Sequence, residues 1–408
     1  MSWEKVKLEK LYTVHNGLSK GRQFFGSGFP FLSFSTVFNN YFIPSELSDL
    51  VQSTEKEQQD YSIRRGDVFI TRTSETSDEL GMSCVALKDY PCATYNGFTK
   101  RMRPIDERRV LPEYIGYYLR MSSFRSEFQA FSTMTTRASL RNEDLLGLEI
   151  SLPPLLIQRR IASILSAYDD LIENNQKQIK LLEEAAQRLY KEWFVDLRFP
   201  GYEGVKVVDG APEGWRKSLI VDLCEKINAG GTPSRRNENY WNGATIKWYK
   251  TQELQDCWLI DSDEKITEEG LRNSSAKFFP ENTILMAIYA SPTFGRLGIL
   301  DSDATCNQAA LCLKANEDLI SWQWLYGKLY ELRDYYNGIA RGAGQQNISG
   351  EVVKQSVVLC PVKEVIDKFT KIVAPMFEKQ RKLQKQNLDL AEARDRLLPK
   401  LMSGELEV

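Results

Sequence analysis

The chain has 408 residues, 42% hydrophobic and 26% charged, with 53 basic side chains against 55 acidic ones and a formal charge of −2. That length and composition predict two or three folded domains, each with a sizeable core, and exclude a disordered chain or a binder that works by bulk cationic charge. His15 is the only histidine, so zinc sites, serine–histidine triads and histidine acid–base chemistry have almost nothing to work with.

The start, Met1-Ser2-Trp3-Glu4-Lys5, has no apolar leader, and no stretch approaches the roughly 18 apolar residues of a membrane span. Cys84, Cys92, Cys224, Cys257, Cys306, Cys312 and Cys360 are scattered, with no Cys-x-x-Cys spacing. Such thiols read as reduced, and the expected location is the cytoplasm with no membrane attachment. In chain order, Gly17-Leu18-Ser19-Lys20-Gly21-Arg22 is a polar, glycine-bearing loop, with His15 just before it read as a loop residue. Val68-Phe69-Ile70-Thr71 is a buried-strand candidate, with Arg72 next after it, and Tyr114 to Met121 is a short amphipathic helix. Thr135-Thr136-Arg137-Ala138-Ser139-Leu140-Arg141 is a second polar loop.

From Leu152-Pro153-Pro154 onward the pattern turns helical. Ile157, Ile161, Ile164, Tyr168, Ile172, Ile179, Leu182, Ala186, Leu189 and Trp193 recur in steps of three and four, broken once by Asn175. Gly201 to Gly214, with Pro200 and Pro212, is a linker. The second half carries Gly230-Gly231-Thr232-Pro233-Ser234-Arg235-Arg236 followed by Tyr240-Trp241-Asn242. It continues with a strand candidate at Thr283–Ala287, an amphipathic helix at Trp322–Leu332 and the loop Ala343-Gly344-Gln345-Gln346-Asn347-Ile348-Ser349. Cys360-Pro361 opens a second long helix with Phe369, Met376, Leu383, Leu390 and Leu397 at a seven-residue period and Ile372 and Ala393 between. Each helix runs for about 40 residues, roughly 60 Å at 1.5 Å per residue. Pro375 should kink the second near its start.

The halves repeat. At one constant offset Ile164 matches Ile372, Tyr168 matches Met376, Leu182 matches Leu390, and Leu189 matches Leu397, without a gap. Upstream, Trp3–Leu11 resembles Trp215–Leu223, and Ala93-Thr94-Tyr95-Asn96 resembles Ala304-Thr305-Cys306-Asn307. The reading is a tandem duplication. A first mixed α/β domain (1–152) precedes a long helix (153–200). A second domain (201–360, with 201–214 as linker) precedes another long helix (361–408). Asn175 aligns with Leu383 and Ile179 with Asn387, an interleaving of polar seam residues that would fix the register of a coiled coil at some cost in stability. The alternative is that both helices lie on their domains and never meet.

Enzyme signatures fail one by one. Phe24-Phe25-Gly26-Ser27-Gly28 fits a methyltransferase Phe-x-Gly-x-Gly string. However, the only double proline, Leu152-Pro153-Pro154-Leu155, lacks the polar residue and the aromatic that would hold a flipped base. No phosphate-binding Gly-x-x-x-x-Gly-Lys loop exists. Asp263-Glu264-Lys265 has no Pro-Asp before it to complete a metal-binding pair and reads as a solvated turn. What remains is loop chemistry. Glycines let a backbone approach phosphate closely, and Arg and Gln forks match guanine and adenine edges. The candidate DNA-contacting residues are Ser19, Lys20, Arg22, Arg72, Arg137 and Arg141 in the first half. Thr232, Ser234, Arg235, Arg236, Gln345 and Gln346 are their counterparts in the second.

Three segments together resemble the specificity subunit of type I restriction–modification systems. They are Leu152-Pro153-Pro154-Leu155-Leu156-Ile157-Gln158-Arg159-Arg160-Ile161-Ala162, Trp193-Phe194-Val195-Asp196, and Leu397-Leu398-Pro399-Lys400-Leu401-Met402-Ser403-Gly404-Glu405. Gly230-Gly231-Thr232-Pro233-Ser234 leading to Tyr240-Trp241, and Gly17-Leu18-Ser19-Lys20, are frequent starts of such recognition domains. The resemblance covers nearly the whole chain and implies two tandem α+β target recognition domains, each reading half of a bipartite, asymmetric site on double-stranded DNA. It implies that the two helices form an antiparallel coiled coil with pseudo-twofold symmetry. Two modification subunits would bind S-adenosylmethionine and methylate adenine, and restriction subunits using ATP and magnesium would join them. The chain itself would then be non-catalytic, with no cofactor or metal of its own. A fused adenine methyltransferase or nuclease, or a coiled-coil scaffold that reads no DNA, are the alternatives. The second helix departs from the pattern, with Cys360-Pro361-Val362-Lys363 in place of the double proline and Ile366 where Gln158 stands. That departure puts equivalent partner contacts at the two helix starts in doubt.

Overall fold

The structure is a computed structural model and describes residues 3–74, 80–131, 138–289, 294–342 and 348–408. The chain divides into two compact units, Met1–Ile172 with Asp389–Val408, and Glu173–Leu388. Both long helices are therefore shared, each contributing one end to either unit.

In the first unit a four-stranded antiparallel sheet runs in the order Tyr12–Asn16, Thr99–Pro104, Val68–Thr71, Ser83–Val85. A three-stranded sheet holds Leu50–Val51, Phe25–Leu32 and Thr94–Tyr95. Strand Val68–Thr71 shows why its sequence lacks polar alternation. Side chains alternate between faces, and Val68 and Ile70 enter one core while Phe69 enters another. Both faces are covered, so every position is apolar or, at Thr71, buried. The second unit repeats this: Ile284 and Met286 point into one core and Leu285 and Ala287 into another. Its five-stranded sheet is Cys224–Ala229, Ala310–Ala315, Ile284–Ala287, Leu297–Leu300, Cys257–Leu259.

The repeat extends to pairings that are distant in sequence. Glu4–Lys7 pairs antiparallel with Glu149–Leu152, and Arg216–Leu219 pairs in the same way with Val357–Cys360. These two-stranded ribbons draw the first and last strands of each domain together. Phe31 and Leu32 pair in parallel with Thr94 and Tyr95, as Trp248 and Tyr249 do with Thr305 and Cys306. The fold class is mixed α/β with two repeats and two long helices.

The short helices expected at 114–121 and 322–332 are Pro112–Tyr118 and Trp322–Glu331. They are not amphipathic. Tyr114, Ile115, Gly116, Tyr117 and Tyr118 are all buried, because the helix lies inside a core that also takes in Ile161, Leu165, Leu398 and Leu401. His15 is not in a loop either. It belongs to strand Tyr12–Asn16, with Nδ1 3.0 Å from the Tyr95 hydroxyl.

The first long helix spans Leu155–Tyr190 and ends in a π-helical turn, Lys191–Val195, that turns Trp193 and Phe194 into the core. The second spans Lys363–Ser403 and continues through Pro375 and Pro399. The helices meet. In the second unit Asn175 Nδ2 donates to Asn387 Oδ1 at 3.0 Å, with Asn175 buried. In the first unit Arg394 pairs with Asp169, which also accepts from the Tyr117 hydroxyl. Residues rising along one helix thus oppose residues falling along the other, which is antiparallel pairing. The polar seam positions, Asn175 and Asn387, satisfy each other.

Of the seam positions, Ile161, Phe369 and Leu383 are buried, while Ile164, Tyr168, Ile179, Leu182, Leu189, Met376, Leu390 and Leu397 are half-buried. Ile372, expected between them, is 44% exposed and Val373 takes the inward place. The reason is period: Phe369, Val373 and Phe377 follow the 3.6-residue repeat of a helix lying on a domain core, not the seven-residue repeat of a helix facing only another helix. Leu165 and Tyr190, absent from the expected seam, are buried for the same reason.

Candidate nucleic-acid interface

In the first unit the Gly17–Arg22 loop meets the Ala93–Asn96 segment and Thr99 through backbone contacts. Leu18 bridges to Asn96, Leu18 N–H donates to Tyr95 O at 2.9 Å, and Gly17 N–H donates to Thr99 O at 3.2 Å. A Cβ on Gly17 would collide with the Asn96 carbonyl. Only glycine allows this approach. In the second unit Gly231 N–H donates to Cys306 O at 2.9 Å and Gly230 N–H to Ala310 O at 3.1 Å, and a Cβ on Gly230 would strike the Cys306 and Asn307 carbonyls. Glycine loop and Ala-Thr-x-Asn segment, matched in sequence, are therefore one three-dimensional element used twice.

Around this element the candidate residues of the first unit assemble. Ser19 is exposed against Gly97, where a Cβ would meet its hydroxyl. Lys20 donates to Gln52 O, pairs with Glu57 at 2.8 Å and lies 5.2 Å from the Phe24 ring centre. That ammonium, hydrogen-bonded to the Glu57 carboxylate, holds it below its ordinary pKa. Arg22 is exposed at the start of the turn Arg22–Phe24. Arg72 reaches Asn16 Oδ1 at 3.4 Å, and its buried Nε has no hydrogen-bond partner among the described residues. Lys100, buried beneath, bonds Asn142 Oδ1. Burial, followed by the like charge of Arg72, pulls the Lys100 pKa down. Arg141, with its side chain 69% exposed, precedes helix Asn142–Gly147. Ser349, its counterpart by sequence position, precedes helix Gly350–Lys354 and caps it.

The second unit arms its loop differently. Thr232 bonds Gln308, and Ser234 is exposed and accepts from Trp241 Nε1 at 3.1 Å. The Arg235 guanidinium lies 3.7 Å from the Trp241 ring centre and 5.1 Å from that of Trp248, and it pairs with Glu264. Glu264 also takes Lys250 at 3.0 Å. The Arg235 hydrogen bond, with Lys250 behind it, holds the Glu264 carboxyl below its usual pKa. Glu264 is therefore not part of a solvated turn; it opens strand Glu264–Ile266 and anchors a stacked arginine. Arg236 is exposed. Arg137, Gln345 and Gln346 lie outside the described residues.

Sequence reasoning had Trp241 beside the second loop but missed Gln308, Lys250 and Lys100 as neighbours. It also missed the work done by Gln158. That side chain, 1% exposed, accepts from Leu111 N–H at 2.8 Å and donates to Pro153 O at 2.8 Å and Arg109 O at 3.1 Å. It ties the first helix start to its domain, whereas Ile366 is buried in an apolar core. The two helix starts are held by different chemistry, polar in one and apolar in the other.

Among the described residues no group of His, Cys, Asp and Glu could hold a metal ion, and no helix is long and apolar enough to cross a membrane. Residues 1–184 and 212–391 match the family described as the type I restriction modification DNA specificity domain. The chain is 26% identical to the type I restriction enzyme MjaIX specificity subunit of Methanocaldococcus jannaschii, over 100% of this chain and 94% of that protein. It is 24% identical to the HindI specificity subunit of Haemophilus influenzae, over 92% and 94%. Its fold is similar to that of the type I restriction–modification S subunit from M. genitalium, with a TM-score of 0.58 at 16% identity, covering 98% of this chain and 96% of that one.

Proposed function

The chain belongs to the type I restriction modification DNA specificity domain family, and from that premise we propose that it is the DNA-reading subunit of a type I restriction–modification complex. Each domain reads one half of a bipartite, asymmetric duplex site. The paired helices set the number of unread base pairs between the halves and carry the docking faces for two modification subunits and for restriction subunits. The chain is non-catalytic; S-adenosylmethionine, ATP and magnesium act on the partners, in the cytoplasm. The observation that carries this reading is the glycine-anchored loop element, present once per domain with cationic side chains beside it. With a net charge of −2, the chain grips phosphate weakly by itself, and the partner subunits supply the remainder.

The test is competition binding with the full chain reconstituted with its modification subunits. Cognate duplex should displace labelled cognate DNA far better than random duplex does; equal competition overturns the reading. DNA modified or cut by the purified chain alone would instead establish the enzymatic alternative.

Arg235 is the residue with the most defined geometry. Stacking on Trp241 and pairing with Glu264 fix the plane of its guanidinium, which suits bidentate recognition of a guanine edge. Arg235→Ala is expected to weaken cognate binding by about 1–3 kcal/mol and to relax preference at one base pair of one half-site. Methylome sequencing with unchanged preference at every position would remove Arg235 from the reader.

The helices yield a second expectation. The register that pairs Asn175 with Asn387 sets Ile179 across from Leu383. Seven residues inserted after Gln178, matched by seven after Leu383, lengthen the pair by about 10 Å while keeping Asn opposite Asn. Methylome sequencing should then return both half-sequences unchanged with a longer spacer. An altered half-sequence with the original spacer would contradict the role of the helices as a ruler.

A further inference from the structure

The segment Phe24-Phe25-Gly26-Ser27-Gly28-Phe29 matches a methyltransferase string by letters, and its geometry gives it different work. Phe25 and Phe29 both sit across from Val51, so the three residues between them are looped out of the strand. Gly26 has φ +93° and Gly28 has φ +103°, and a Cβ on Gly28 would stand 2.6 Å from the Val51 carbonyl. The bulge therefore requires glycine at both positions. Its consequence is to leave Phe24 38%, Phe25 39% and Phe29 42% exposed within six residues. Single exposed apolar side chains are ordinary, but a contiguous group marks a binding surface. Lys20 over Phe24, Arg22 in the adjoining turn, and Gln52, which bonds Ser27 Oγ at 3.1 Å, join this group to the loop element of the first domain.

The second domain makes the same aromatic pair and treats it differently. Phe25 meets Phe31 edge-on at 5.2 Å, as Trp241 meets Trp248 at 5.1 Å. Phe31 and Trp248 occupy equivalent places in their sheets, each one residue before the last of its strand and paired in parallel with an equivalent threonine. Over Trp241 lies Arg235. The Phe25 ring is instead left open to solvent.

We propose that Phe25 and Phe29, presented by the Gly26–Gly28 bulge, read thymine in the half-site of the first domain by packing against its C5-methyl group in the major groove. Ser27, the one polar side chain of the bulge, is engaged by Gln52 Nε2, so apolar contact is the readout the phenyl rings themselves offer. The flanking Lys20 and Arg22 suit phosphates on either side. This inference rests on the DNA-reading function above. The arrangement makes the two domains unlike readers: a stacked arginine for guanine in one, and bare phenyl rings for thymine in the other.

The experiment replaces thymine with uracil one position at a time in the cognate duplex, which removes a methyl group and leaves protein and hydrogen bonding untouched. Binding is measured with the reconstituted complex of wild-type chain, Phe29→Ala, and Phe25→Leu, which keeps the core contact with Phe31. We expect at least one thymine of that half-site to lose about fourfold in affinity on demethylation, the worth of one buried methylene. The loss should vanish in Phe29→Ala, and both variants should keep the wild-type salt dependence. No thymine sensitive to demethylation, or sensitivity that persists in both variants, overturns the proposal. So do variants that bind every duplex normally but fail to associate with the modification subunits, which would make the patch a protein contact. If the wild-type complex does not distinguish cognate from random duplex, the DNA-reading function itself has failed, and that control is scored first.

Discussion

Replacing Phe194 with alanine should destabilise the second unit by about 3–5 kcal/mol, the range for deleting a large buried aromatic. Phe194 is 6% exposed, and its ring lies within 4.9–6.3 Å of the rings of Tyr190, Trp193, Trp215, Trp324 and Phe369. Those neighbours come from the end of the first long helix and its π-helical turn, the residue just before strand Arg216–Leu219, a domain helix and the start of the second long helix. No one of them can move in to fill the void without leaving its own element. The π-helical turn at Lys191–Val195 places Phe194 there, so the cost includes loss of what that irregular turn gains by burial. Urea denaturation followed by tryptophan fluorescence measures it selectively, because every tryptophan except Trp3 lies in the second unit. A shift under about 1 kcal/mol would mean that the aromatic cluster tolerates the cavity and that the turn serves another purpose.

The second large effect concerns the first unit. Asp67 is fully buried and takes both nitrogens of the Arg103 fork, Nε at 2.7 Å and Nη2 at 2.6 Å, while accepting from Arg64 N–H at 2.8 Å. Asp67→Ala should cost about 3–5 kcal/mol, because it strands a half-buried guanidinium without its anion. Removing both partners in Asp67→Leu/Arg103→Met should recover most of that loss, since the penalty lies in the unpaired charge rather than in the absent pair. The double-mutant cycle decides the matter: additive losses would show that the two side chains act independently. The inner strand carrying Arg103, Thr99–Pro104, also carries Lys100, so first-domain DNA discrimination should fall with stability in the single variant and return in the double.

The large-scale plan was legible because the duplication left two independent readings of one fold. Matching Gly17 with Gly230 and Asn96 with Asn307 located the loop element, and Asn175 and Asn387 were legible as polar seam positions, although their bond to each other was not. What stayed hidden depended on contacts that leave no local pattern. Arg235 finds Glu264, and Lys20 finds Glu57, across separations where charge composition says nothing about pairing. Ile372 was misassigned because a seven-residue spacing and a 3.6-residue spacing agree for a few turns and then part. The exposed Phe24, Phe25 and Phe29 were visible as letters, but burial rather than identity distinguishes a core aromatic from a presented one.

The two units also differ in how the chain supplies them. The second is one continuous stretch, Glu173–Leu388, whereas the first needs residues 389–408 to return to it. Leu398, Leu401 and Met402 join Ile161 and Leu165 in its core, and Arg394 answers Asp169. Synthesis runs from the N-terminus, and domains generally form as they emerge from the ribosome. The half begun first is thus the half finished last, and its core stays unsealed until the whole of the other unit has been made. The second unit can close once Leu388 has emerged, but the first waits for the turns of the last helix beyond Asp389, so the recognition half whose synthesis starts first cannot be the first to become competent.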